Sequence, residues 1–125
     1  MKKYFLLATS IFAFSGYAIA GTGLPCGEMA KSDSFQTDGE FSQCLTQTDQ
    51  ELNGSFLALK KKMKDRNVEA DLKNMQLGWI KMRDAQCTVE AMTANLANGM
   101  ENRAKTCKIR MTSERTAELD AIADM

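Results

Sequence analysis

The chain has 125 residues, with 16 basic and 16 acidic side chains, four cysteines and no histidine. A formal charge of zero argues against nucleic-acid binding, and without histidine the usual nucleophile–base pairs of an enzyme are missing. Four cysteines with neither a Cys-x-x-Cys pair nor a histidine read as two disulfides rather than a metal site, so neither metal nor cofactor is expected.

Residues 1–20 read as a signal peptide. Lys2 and Lys3 supply the positive start, Tyr4 to Tyr17 is mostly apolar, and Ala18-Ile19-Ala20 is a small-x-small cleavage site. Thr9, Ser10, Ser15 and Gly16 interrupt an apolar run that is already short for a spanning helix. Cleavage after Ala20 is expected to leave one small domain, residues 21–125, in the periplasm or secreted and with no membrane span. Without Lys2 and Lys3 the balance is 14 basic to 16 acidic residues, a mild negative charge that favours a basic protein partner. All four cysteines follow the cleavage site, as suits an oxidising compartment.

The segment Gly21 to Asp38 is polar, broken by Gly23, Pro25 and Gly27, and reads as an irregular lead-in held by Cys26. Helical periodicity then starts: Phe41, Leu45, Thr48, Leu52, Ser55, Leu59 and Met63 recur by three and four, with Phe56 at the flank. Thr37 followed by Glu40 is a capping-box signature. After a break at Lys64-Asp65-Arg66-Asn67, a second helix is predicted near Val68, with Asn67 as N-cap and Glu69 and Asp71 in its first turn. Its inner stripe is read as Val68, Leu72, Met75, Trp79 and Met82, with Arg83 and Cys87 alongside. The helix fades between Met92 and Ala97. Asn98, with Glu101 three residues later, marks a third start, and the stripe Met100, Ala104, Cys107, Met111, Leu119 and Ile122 follows. Gly54 and Gly78 fall inside helices, and the sequence offers no reason for either. The expected fold is all-α: a three-helix antiparallel bundle with an irregular N-terminal segment and two disulfides.

Trp79, Arg83 and Cys87 are spaced by four and rise along one helical stripe. A tryptophan there calls for burial, and an arginine one turn later needs a carboxylate. Setting antiparallel helices level about a turn near Asn67 places Asp49 beside Arg83, so an Asp49–Arg83 ion pair is predicted, with Glu114 and Glu118 as competitors. The same exercise about Ala97 sets Cys87 level with Cys107, leaving Cys26 for Cys44. Cys44 is also level with Cys87, so this reading leaves the connectivity open.

The quoted residues carry a resemblance. Cys44, Asp49, Leu52, Asn53 and Phe56, then Gln76, Trp79, Ile80, Arg83, Asp84 and Cys87, then Cys107, Arg115, Thr116, Glu118 and Leu119 together resemble the LprI-like lysozyme inhibitor family of bacterial envelope proteins. One departure is Met82, where the family usually has an aromatic residue. The resemblance implies a non-catalytic, disulfide-bonded helical domain whose partner is a c-type lysozyme or other peptidoglycan hydrolase. A non-catalytic envelope interaction module, such as an immunity protein against a wall-degrading toxin, is the alternative. Asp49, Asn53, Gln76, Trp79, Arg83, Asp84 and Arg115 are expected to serve the core rather than the target. For the target-binding surface the sequence offers the two turns, Lys64 to Asn67 and Asn95 to Gly99, without choosing between them. The methionines Met75, Met82, Met100 and Met111 are read as core filling rather than metal ligands.

Overall fold

The computed structural model describes residues 23–125, so the signal segment and its cleavage site lie outside the described residues. Four helices follow in chain order: α1 (Cys26–Ser32), α2 (Asp38–Lys62), α3 (Glu69–Ala91) and α4 (Ala97–Ala123). The fold is all-α, and no strand occurs among the described residues. The predicted bundle corresponds to α2–α4. The lead-in differs from expectation in holding a seven-residue helix, α1, that starts directly after Pro25. Proline suits a helix start because its fixed φ is already helical and its missing N–H is not needed there.

Local chemistry sets the helix ends. At α2 the Thr37 hydroxyl accepts from the Glu40 N–H, and the Glu40 carboxylate accepts from the N–H groups of Thr37 and Gln36. This reciprocal cap satisfies donors that an open helix end leaves unpaired. The start of α3 departs from the prediction. Asn67 takes a left-handed conformation with φ of 56°, Val68 is the N-cap, and no side chain caps the end. Asparagine tolerates that region better than most residues, so Asn67 serves the turn and not the cap. The start of α4 also lacks a side-chain cap, because Leu96 occupies the N-cap position.

The helix α4 is the axis of the molecule. It packs against α1, α2 and α3, whereas α2 and α3 make no comparable approach to each other. It runs parallel to α2, where Lys62 Nζ donates to the Ala123 carbonyl at the far ends of both helices. It runs antiparallel to α3, where Arg83 reaches Thr112 and Glu90 reaches Arg110.

The main core combines Leu52 and Leu59 of α2, Leu72, Trp79 and Cys87 of α3, and Cys107, Met111 and Leu119 of α4. A second cluster joins Cys26, Ala30, Phe41, Cys44 and Ile109 beneath α1. Each cluster contains one disulfide. Cys26–Cys44 ties α1 to α2 and Cys87–Cys107 ties α3 to α4, both with Cα atoms 5.4 Å apart. The Met111 sulfur packs 3.8 and 3.9 Å from Cys87 Sγ and Cys107 Sγ. In the chain-entropy view each bridge, spanning 18 or 20 residues, contributes about 3 kcal/mol.

Candidate functional site

The sequence motif around Trp79 assembles into a buried hub. Trp79 projects from α3 toward α4, and two guanidinium groups lie over its ring: Arg83 from the next turn at 5.2 Å and Arg115 from α4 at 5.8 Å. Cation–π attraction of this kind strengthens as the pair is desolvated. Arg83 and Arg115 side chains are only 15% and 13% exposed, so their charges must be met locally. The partner of Arg83 differs from the predicted Asp49. Arg83 donates through Nε and Nη2 to Asp84 Oδ1 at 2.9 and 2.8 Å, and through Nη1 to the Thr112 hydroxyl at 3.2 Å. Arg115 pairs with Glu118 at 3.1 Å. Asp49 is solvent-exposed on α2.

The Asp49–Arg83 expectation therefore fails for a topological reason. Setting helices level assumed that α2 and α3 are direct neighbours, but both pack instead on α4. Asn53 is likewise exposed on α2. Gln76, by contrast, is buried next to the hub, and its Oε1 has no hydrogen-bond partner among the described residues; nor has Arg115 Nε.

Below the hub, Arg110 of α4 grips Glu90 of α3 with bonds of 3.2 and 2.8 Å, and Gln86 adds a third at 2.9 Å. The Arg110 guanidinium, helped by the Gln86 amide, holds the Glu90 carboxyl below its usual range. This pair sits next to the Cys87–Cys107 bridge, so covalent and charged links clamp the same end of α3 to α4.

The opposite face of α3 looks outward. Gly78, Met82, Ala85, Val89 and Met92 follow one another in steps of four and three residues and are all exposed. Met82 is 48% exposed, Val89 68% and Met92 64%, and Leu96 in the following turn is 70% exposed. Met82 is thus not part of the core, contrary to the inner stripe predicted for it. The buried stripe is centred on Leu72, Gln76, Trp79 and Cys87, which rotates Met82 out to solvent. Met82, Ala85, Val89 and Met92 form an exposed apolar strip along the outward face of α3. The sequence already held the signal: a second four–three spacing overlapped the inner one on α3.

The two candidate turns differ sharply. Lys64, Asp65, Arg66 and Asn67 form an exposed turn of charged and polar residues. The α3–α4 turn instead carries Met92 and Leu96 at its exposed edge, continuous with Val89. Arg103 of α4 reaches back to donate to the Thr93 hydroxyl and braces this turn.

These features define a small helical domain: a disulfide-clamped scaffold, a cation–π hub that fixes α3, and an apolar edge held outward at one end. A family model described as Lysozyme inhibitor LprI matches residues 28–119, and the chain belongs to this family. Comparison with curated proteins and with solved structures gave no match.

Proposed function

We propose that the protein is exported, cleaved after Ala20, and acts in the periplasm or outside the cell as a non-catalytic inhibitor of lysozyme. Membership of a lysozyme-inhibitor family carries this reading. Two disulfides in a small core add support, because such bridges persist in oxidising compartments. The mature unit is proposed to be the single domain 21–125, with Gln76, Trp79, Arg83, Asp84 and Arg115 building the scaffold.

The contact surface is proposed to be the apolar edge of Val89, Met92 and Leu96 with the turn that carries it. Blocking a cleft requires a protruding group that fills it, and this is the turn that presents large apolar side chains. The turn at Lys64 to Asn67 offers charge instead, which suits a basic enzyme less well.

A turbidity assay of cell-wall lysis tests the function directly. Purified mature protein slows lysis by a c-type lysozyme, and no slowing at large molar excess would sink the reading. Replacing both Val89 and Leu96 by aspartate weakens inhibition by roughly thirtyfold or more, the range of a lost interface hot spot. An unchanged melting temperature would show that the loss belongs to the surface. If the double variant inhibits like the parent, the edge is not the contact. The alternative, immunity against another wall-degrading hydrolase, predicts no effect on lysozyme and capture of that hydrolase from an envelope extract.

A further inference from the structure

The apolar strip on α3 has a chemical property besides its shape. It carries two thioethers, on Met82 and Met92, which are 48% and 64% exposed. Apart from the terminal Met125, these are the exposed methionines among the described residues. Met29, Met63, Met75 and Met100 are half-buried, and Met111 is buried. The accessible sulfur of the folded domain is therefore gathered on one helix face.

The surroundings of the two residues leave them open. On the strip Met82 lies between Gly78 and Ala85, whose side chains are too short to cover it. A Cβ at Gly78 would meet nothing within 4 Å, so the space over that turn is free. Met92 is the C-cap of α3, where the chain leaves the helix, and stands between the exposed Val89 and Leu96. Met111 has the opposite setting. It is 8% exposed, and its sulfur packs 3.8 and 3.9 Å from the two sulfurs of the Cys87–Cys107 bridge.

Oxidation of methionine follows exposure and changes polarity. A peroxide transfers one oxygen atom to a lone pair of the thioether: an S–O bond forms, the O–O bond breaks, and water leaves. Sulfur loses two electrons, and the peroxide gains them. The sulfoxide is a polar acceptor, so it resists burial in a dry contact. At Met82 and Met92 the new oxygen points into solvent and costs the fold little. At Met111 it would enter the main core beside the disulfide.

We propose that Met82 and Met92 form an oxidation site, at which hydrogen peroxide makes sulfoxides ahead of the buried Met111 and turns the apolar face of α3 polar while the scaffold stays folded. The site stands on exposure and packing alone. Its consequence for inhibition rests on the lysozyme reading, because Met92 belongs to the proposed contact edge.

The experiment titrates the mature protein with hydrogen peroxide and follows each methionine by peptide mass spectrometry. Met82 and Met92 should gain oxygen well before Met111. Hydrophobic-interaction chromatography then reads the surface without lysozyme, in a Met125→Leu background that removes the terminal thioether. Oxidised protein should elute earlier, and the added pair Met82→Leu and Met92→Leu should abolish that shift. The melting temperature should fall by no more than about 4 °C, the span of a surface change. In the lysis assay each variant is compared with itself before and after treatment. The Met125→Leu protein should inhibit about tenfold less once oxidised, and the protein with both further leucines should keep the inhibition it had.

Oxidation of Met111 in step with Met82 and Met92 would overturn the proposal. So would retention that oxidation leaves unchanged, or that shifts equally without the two methionines. If the untreated protein does not slow lysis, the lysozyme reading fails, and mass and retention still decide the site. If the untreated protein inhibits and the oxidised protein inhibits equally well, the site lies outside the contact and its consequence for inhibition is refuted.

Discussion

At the scale of single residues, Arg83 shows how a buried cation is held when its expected partner lies elsewhere. Its own neighbour Asp84 neutralises it, Thr112 takes a further N–H, and Trp79 shields it. A double-mutant cycle measures this directly. Arg83→Met and Thr112→Val should couple by about 0.5–1.5 kcal/mol, the usual span for interacting neighbours, while Arg83→Met with Asp49→Asn should be additive. Coupling to Asp49 of similar size would overturn the assignment. Glu90 gives a pH signature. Its folded-state pKa is depressed, so the Glu90–Arg110 pair contributes above the ordinary carboxylate range and loses that contribution as pH falls through the lower folded value. In urea unfolding near pH 7, Glu90→Gln should therefore be less stable than the parent by at most about 1 kcal/mol, because the pair is partly solvated. The gap should close at acid pH; a gap that widens there would contradict the pairing.

Among the helices, α3 presents two faces with different tasks. One buries Leu72, Gln76, Trp79 and Cys87, and the other carries the exposed apolar strip. This double character explains why Met82 was legible as apolar but not as exposed. Two overlapping four–three stripes on one helix cannot be ranked until a neighbour covers one of them. The glycines inside helices also belong here. A Cβ at Gly54 or Gly78 would meet nothing within 4 Å, so neither residue is required by a close approach within the chain. Gly54→Ala should raise stability by about 0.5–1 kcal/mol, and Gly78→Ala by a similar amount, in thermal or urea unfolding. A loss of stability at either would show a contact that this arrangement lacks. Gly27 differs: a Cβ there would come 2.5 Å from Ser113 Oγ, so α1 lies close against α4 and the serine would have to turn.

For the whole molecule, the central position of α4 decides most of what the chain does. Because α2 and α3 both lean on it, the two disulfides brace different joints. Cys26–Cys44 holds α1 over the second cluster, and Cys87–Cys107 closes the main core. Replacing either pair by alanine should cost about 3 kcal/mol, which lowers the melting temperature by on the order of 10–20 °C in a domain this size. Calorimetry of the two double variants checks this, and a change of only a degree or two would show that the reduced chain is already constrained. The helical class, the capping box at Thr37, the cysteines as disulfides and the hub residues Trp79, Arg83 and Cys87 were readable from local pattern, since each rests on spacing within one helix. The family resemblance was legible for the same reason: its motifs are core motifs. Spacing within a helix says which residues share a face, but not which helix covers that face. Only the tertiary structure, by placing α4 between its neighbours, removed Asp49 from Arg83, turned Met82 outward and left the α3–α4 turn with an exposed apolar edge.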